Sequence, residues 1–223
     1  MSARPRLLDL YCCAGGAGMG YHQAGFDVVG VDLVWRKRYL FVQIQTDCLS
    51  LSMNFLRQFD AIHASPPCQA HTAMKTMADA RPHTDLIPGT RAMLQASGVP
   101  DVIENVIGAP LLSPIVLCGS MFGLGAKAAQ LRRHRQFEAS FHISTPGPCR
   151  HTSPTIGIYG EGCRDSRRKY DKTIPEFTIV EGREAMGMPW ASIAEICEAI
   201  PPAYTQHIGL QLIAYLQSQR LAA

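Results

Sequence analysis

Leu7-Leu8-Asp9-Leu10-Tyr11-Cys12-Cys13-Ala14-Gly15-Gly16-Ala17-Gly18 is the stretch whose reading decides the fold. Its first five residues form an apolar run of strand type. A turn of small residues follows, and helical spacing then runs through Met19, His22 and Gln23. Gly25-Phe26-Asp27-Val28-Val29-Gly30-Val31-Asp32 reads as a second strand that closes on an acid. Strand, glycine turn, helix, strand and acid, in that order, make the βαβ unit that holds nucleotides in open α/β sheets. Glycines let the main chain approach a ligand closely, and a carboxylate at the end of the second strand can accept hydrogen bonds from ribose hydroxyls. A tight turn in any α/β protein is the plainer reading of the same residues.

Two further runs extend the sheet. Phe59-Asp60-Ala61-Ile62-His63 leads into Ala64-Ser65-Pro66-Pro67-Cys68-Gln69. About 35 residues later, Val99-Pro100-Asp101-Val102-Ile103 leads into Glu104-Asn105-Val106. In a doubly wound sheet Cys68 and Glu104 would both sit at strand carboxyl ends, where such folds build their sites. A thiolate and a protonatable acid suit attack on an electron-poor ring, with the acid protonating a ring nitrogen. Residues 70–98 read as a loop followed by a helix over 90–95, and residues 115–119 as another strand. The glycines, prolines and charges of residues 144–171 read as loop. Helix resumes from Glu181, with Pro201-Pro202 interrupting, and 204–216 space Ile208, Leu212, Ile213 and Leu216 helically.

A chain of 223 residues can bury one good core. Hydrophobic content of 47% and charged content of 17% suit a globular enzyme and exclude a disordered chain. No apolar run approaches the roughly 18–20 residues that span a bilayer, so no membrane association is expected. Met1-Ser2-Ala3-Arg4-Pro5-Arg6 lacks a signal-peptide core, which predicts a cytoplasmic protein. The eight cysteines are scattered, as buried small residues of a reducing compartment would be. Cys149, His151 and Cys163 match no standard zinc spacing and show no fourth ligand, so no metal is expected. Net charge is only +3, yet residues 127–172 hold ten Lys/Arg against four Asp/Glu. That patch reads either as a face for a polyanion or as a solvated loop.

Taken in order, the motifs resemble those of the C5-cytosine DNA methyltransferases. Asp9-Leu10-Tyr11 with Gly15-Gly16 resembles the first motif, which binds S-adenosylmethionine; Cys13 stands where a glycine is usual. Asp32 takes the place of the glutamate that meets the ribose hydroxyls, and Thr46-Asp47-Cys48 resembles the segment whose aspartate meets adenine. Pro66-Pro67-Cys68-Gln69 resembles the nucleophile motif and Glu104-Asn105-Val106 the acid motif. Arg133-His134-Arg135, followed by Phe137, is similar to the Gln-x-Arg-x-Arg motif, with Leu131 in place of its glutamine. Arg183-Glu184 with Met186-Gly187-Met188-Pro189, then Ala199-Ile200-Pro201-Pro202 and helix 204–216, resemble the last two motifs, with Glu198 in place of an asparagine.

The resemblance covers about residues 7–216. It implies an α/β, Rossmann-like S-adenosylmethionine-dependent methyltransferase fold with a mostly parallel central sheet and a small loop-rich insertion. The expected organisation is a catalytic and cofactor-binding part over 1–137, a minimal target-recognition region over 138–180, and a completing C-terminal segment over 181–223. Implied catalytic residues are Cys68, Glu104, Arg133 and Arg135, the arginine pair holding the flipped base and its phosphate. Implied cofactor-binding residues are Asp9, Tyr11, Gly15, Gly16, Asp32, Asp47, Pro66, Ala199 and Ile200. Gln69, Arg164, Arg167, Arg168 and Lys169 are implied nucleic-acid contacts, and 69–78 a segment that closes over DNA. The implied partner is double-stranded DNA with a flipped-out cytosine, met by a monomer, with a cognate restriction enzyme or separate recognition protein as companion. The same chemistry on tRNA or a free cytosine nucleotide is the alternative, as is a non-catalytic DNA-binding subunit or decoy. A recognition region of only 138–180 predicts sparse readout of base edges.

Overall fold

The computed structural model describes residues 3–71, 83–158 and 177–222. In chain order the elements are β1 (Arg6–Leu10), α1 (Gly16–Ala24), β2 (Asp27–Asp32), β3 (Val42–Gln45), α2 (Met53–Leu56) and β4 (Ala61–Ala64). Then come α3 (Ile87–Ser97), β5 (Asp101–Asn105), β6 (Ile115–Leu117), β7 (Gly125–Ala126), β8 (Ala129–Gln130) and β9 (Arg135–Ala139). The helices α4 (Ile179–Met186), α5 (Ile193–Glu198) and α6 (Pro202–Ala222) follow. Seven strands make the main sheet in the order β3-β2-β1-β4-β5-β9-β6. The first five strands run parallel, and β9 pairs antiparallel with both β5 and β6. This is the mostly parallel α/β sheet expected.

Side chains alternate across the sheet, as the pleat requires. Leu7, Ala61 and Val102 face one way and pack with Tyr21, Phe26, Ile208 and Leu212. Their neighbours Leu8, Ile62 and Ile103 face the other way, toward Leu56, Met93 and Leu94. Both faces are covered, so these strands read as unbroken apolar runs. A third cluster joins Leu131, Ile156, Ile158 and Phe177 to Met186, Ile196 and Ala199.

Several elements differ from those expected, α2, β7 and β8 among them. β3 was not anticipated; Val-Gln-Ile-Gln is a short edge strand with no fully buried position. The helix over 90–95 extends to Ile87–Ser97, closed by Gly98 at φ 70. Pro201 lies in the break between α5 and α6, as expected, while Pro202 already begins α6, since a first-turn residue needs no N–H donor. β9 runs from Arg135 to Ala139. No helix among the described residues is long and apolar enough to cross a membrane.

The chain's two ends meet where α1 lies on α6. A Cβ at Gly16 would strike the Ile200 carbonyl, and one at Gly20 would strike the Pro202 carbonyl and the Thr205 hydroxyl. Thr205 Oγ1 also donates to the Ala17 carbonyl at 2.9 Å. The helices are therefore in backbone contact, and a single methyl group must push them apart. Gly20→Ala should lower stability by about 1–3 kcal/mol through overpacking, even after alanine's helix preference returns up to ~1 kcal/mol. Urea denaturation of the two proteins measures this; an unchanged midpoint would show that α6 can shift freely.

Candidate active site

β1 lies between β2 and β4, so the chain leaves this strand to opposite sides and a crevice opens at the strands' carboxyl ends. The turn after β1 fills one wall. Tyr11, Cys13 and Gly15 all adopt positive φ, at 58, 44 and 78°. For Cys13 that conformation is costly, by about 1–3 kcal/mol, and surrounding bonds must hold it. Its N–H donates to Asp32 Oδ2 at 3.0 Å, and its Sγ lies 3.7 Å from Glu198 Oε2. The two departures from the family pattern nearest this turn, Cys13 and Glu198, thus touch each other. Tyr11 Oη pairs with Thr90 Oγ1 at 2.8 Å, and burial pushes its pKa to about 12. Trp190 Nε1 donates to the Ala14 carbonyl at 2.8 Å, and Ala199 and Ile200 pack on Gly16.

Three carboxylates tied to this turn do different work. Asp32 closes β2 and, besides Cys13, accepts the Val34 N–H at 2.9 Å and Arg36 Nε at 3.2 Å. Asp47 is exposed after β3 and accepts the Leu49 N–H at 2.9 Å. Asp9, expected at the cofactor, is 1% exposed. Its Oδ2 takes the Tyr39 hydroxyl at 3.2 Å, and its carboxyl also takes a bond from the Gly18 main chain. Burial pushes it up to about 8, so it is a neutral acid at pH 7 that braces the turn from inside.

Cys68 follows β4 on the Pro66-Pro67 turn, half-buried, with Gln69 exposed beside it. Asn105, at the end of β5, holds this turn by donating Nδ2 to the Pro66 carbonyl at 2.9 Å. Glu104 is buried on β5, and Arg135 Nε on the neighbouring β9 lies 3.1 Å from its Oε1. Burial raises the Glu104 pKa, opposed by Arg135, by a bond from Ser65 and by Arg133. Burial likewise pushes the Cys68 thiol up; Arg135 opposes this and Glu104 adds to it. The structure thus gathers Cys68, Glu104 and Arg135 into one electrostatic group at adjacent strand ends.

Sequence reasoning missed what stands behind Glu104. His63 is fully buried on β4, and burial lowers its pKa to about 3, so its ring is neutral. Nδ1 meets Tyr21 Oη at 3.1 Å and Nε2 meets Ser65 Oγ at 2.9 Å. Ser65 in turn bonds Glu104. A neutral imidazole has one donor and one acceptor nitrogen, so a Tyr21 donor on Nδ1 leaves Nε2–H pointing to Ser65. The serine proton is then directed at the acid. No local motif marks this relay, because its members come from α1, β4 and β5.

Arg133, the other arginine expected at a bound base, is bonded within the protein. It precedes β9, is 4% exposed, and donates Nη1 to the Ile158 carbonyl and Nη2 to the Cys197 carbonyl, each at 2.6 Å. Burial, then repulsion from Arg135, lowers its pKa to about 9, and it remains a cation at pH 7. It is a clamp between segments. Arg132 also turns inward, to the Ser153 carbonyl at 2.6 Å, so these arginines do not form a cationic face. Arg164, Arg167, Arg168 and Lys169, and most of the 69–78 segment, lie outside the described residues. Cys149 and His151, discounted as metal ligands on their spacing, meet Cys118 and His134 instead; Cys163 lies outside the described residues.

No family model matches the chain, and no curated protein matches it. Solved structures do. The chain is similar over 96% of its length to 99% of the Schizosaccharomyces pombe Dnmt2 methyltransferase, with a TM-score of 0.59 and 11% identity. It is similar over 98% of its length to 99% of the Entamoeba histolytica methyltransferase EhMeth, with a TM-score of 0.54 and 12% identity. A Spodoptera frugiperda DNMT2 mutant matches 60% of the chain at 22% identity with a TM-score of 0.45, too low to carry an argument. The chain spans only 49% of that protein and 45% of one other. At these identities the likeness is one of fold: a mostly parallel α/β sheet whose structural neighbours are methyltransferases.

Proposed function

We propose that the protein transfers a methyl group from S-adenosylmethionine to C5 of a cytosine in DNA through a covalent Cys68 adduct. The observation that carries this reading is the grouping of Cys68, Glu104 and Arg135 at the carboxyl ends of β4, β5 and the start of β9, beside the turn after β1. The donor set of that turn suits a cationic ligand rich in hydroxyl and amine donors. Asp32 and Asp47 stand at the ends of β2 and β3, and Glu198 lies against Cys13. Tyr11, Gly15, Gly16, Pro66, Ala199 and Ile200 supply the surrounding main chain and apolar surface. S-adenosylmethionine, when bound, supplies the electrophilic methyl group that C5 takes.

Cytosine C5 is a poor nucleophile, and covalent attack at C6 remedies this. The Cys68 thiol gives its proton to water, the sulfur forms an S–C6 bond, and the displaced electron pair moves through the ring to C5. Glu104, whose pKa burial raises, donates its proton to N3 and stabilises that charge. The Tyr21–His63–Ser65 relay fixes the acid's orientation. Arg135 balances the Glu104 carboxylate once the proton has left. Water then removes the C5 proton, the S–C6 bond breaks, N3 returns its proton to Glu104, and the released thiolate takes a proton back from water. A cytosine inside a duplex hides C6, so the base must be flipped out. Gln69, next to the nucleophile, and the 164–169 cations are the proposed contacts to the strand, the cations to its phosphates.

Cys68→Ser should abolish transfer, because a hydroxyl does not replace a thiolate at neutral pH. DNA containing 5-fluorocytosine should trap the wild-type protein covalently, since fluorine cannot leave as a proton does. Labelled-methyl transfer to duplex DNA, structured RNA and free cytidine nucleotides, read in parallel, identifies the substrate. Wild-type rates in Cys68→Ser would end the covalent reading, and transfer to RNA alone would replace DNA as substrate.

The raised thiol pKa gives a second expectation. A group whose pKa lies above its ordinary value of 9.0 is mostly protonated at neutral pH, so Cys68 alkylation by iodoacetamide should keep rising above pH 9. Arg135→Leu removes the opposing cation and should move this rise to still higher pH. Peptide mass spectrometry separates Cys68 from the other thiols; a midpoint below 9 would contradict the assigned environment.

Asp32→Asn and Asp47→Ala should each weaken S-adenosylmethionine binding by about 1.5–3 kcal/mol, the worth of a hydrogen bond to a charged acceptor. Titration calorimetry with unchanged affinity in both would exclude this placement of the cofactor.

A further inference from the structure

Away from the crevice, four side chains converge that the proposed reaction does not use. Cys118 is buried at the end of β6, where it caps a 3-10 turn over Gly119–Phe122. His134 lies in the segment entering β9. Cys149 and His151 are exposed on the loop beyond it. One ligand atom from each lies within 4.8 Å of every other. Cys118 Sγ is 3.4 Å from His151 Nε2, and Cys149 Sγ is 3.4 Å from His134 Nε2 and 2.8 Å from His151 Nε2. The two imidazoles meet edge to face, with centroids 5.2 Å apart. Ser120 Oγ lies 3.3 Å from one sulfur and 3.5 Å from the other, in position to donate to either.

We propose that Cys118, His134, Cys149 and His151 bind one zinc ion, as a structural site that fixes the 144–158 loop to the edge of the sheet. Zn–S bonds of about 2.3 Å and Zn–N bonds of about 2.0–2.1 Å, set tetrahedrally, put sulfur and nitrogen about 3.5 Å apart. Two of the three S···N separations match this, and the third, 2.8 Å, opens when a metal takes its place between the atoms. Two thiolates and two neutral imidazoles cancel the charge of the ion, and the two thiol protons go to solvent. All four positions are filled by protein, which marks a structural site and leaves none for substrate. The spacing escaped a sequence pattern because the ligands arrive from three separate segments.

The site bears on the crevice through one residue. His134 stands between Arg133, the buried clamp, and Arg135, the partner of Glu104. A metal on His134 fixes the main chain from which both arginines depart. The loop carrying Cys149 and His151 leads to Ile158, whose carbonyl receives Arg133.

The test reads metal directly and is independent of substrate. Protein purified without chelator should contain about one zinc per chain by mass spectrometry of the elements. After metal removal, cobalt(II) should produce visible bands of tetrahedral intensity and a thiolate charge-transfer band, saturating at about one equivalent. The Cys149→Ser/His151→Ala variant should lose both signals, whereas Cys68→Ser should keep them. Chelation should lower the wild-type melting temperature by at least about 5 °C, the scale of one or two kcal/mol in a chain of this size, and leave the variant's unchanged. Wild-type protein that takes up neither zinc nor cobalt overturns the proposal, as does a variant that binds them equally. The wild-type cobalt titration decides the matter even if the variant does not fold.

Discussion

A buried guanidinium governs how the second half of the chain closes on the first. Arg133 carries its charge into the interior with no carboxylate among the described residues bonded to it, and desolvating such a group costs several kcal/mol. Main-chain carbonyls must compensate, and they come from Ile158 and Cys197, in segments far apart in sequence. The Tyr204 hydroxyl donates to the carbonyl of Arg133 itself at 2.6 Å. One residue therefore joins the entry to β9, the loop at Ile158, the last turn of α5, and the first turn of α6. Those elements cover the turn after β1 and bring Arg135 to Glu104.

Polar groups around the crevice fall into two kinds. Some are bonded within the protein: Asp9 to Tyr39, Arg133 to carbonyls, Asn105 to Pro66. These hold shape. Others, a raised thiol and a raised acid, lie beside one another and beside the Arg135 guanidinium. Burial drives both shifts, and Arg135 opposes both. Arg91 anchors this arrangement from behind, with a bidentate pair to Glu138 on β9 at 2.8 and 2.7 Å.

The parts legible in the sequence are those whose determinants lie close together along it. The strand, glycine turn and acid from Leu7 to Asp32 are contiguous, and both strand ends that carry Cys68 and Glu104 sit in short apolar runs. β3 escaped because an edge strand needs little burial, and the alternation of Val42-Gln43-Ile44-Gln45 is too short to stand out. The bonds of Arg133 were not legible for a different reason. An Arg-His-Arg segment looks alike whether its first guanidinium faces a ligand or two carbonyls, and only the partners, Ile158 and Cys197, distinguish the two. His63, Asn105, Trp190 and Cys118 act through residues 33 to 176 positions away, where no spacing rule reaches.

The backbone contact between α1 and α6 has a consequence for how the protein is made. Gly16, Gly20 and Tyr21 emerge from the ribosome early, while Ile200, Pro202 and Thr205 emerge near the end. At ~5–20 residues per second, translation leaves the nascent α1 without its partner for roughly 10–40 s. During that interval the sheet face bearing Leu7, Phe26 and Val28 lacks its cover of Ile208 and Leu212. A nascent chain of this topology would depend on chaperones that shield apolar surface until its last helix arrives.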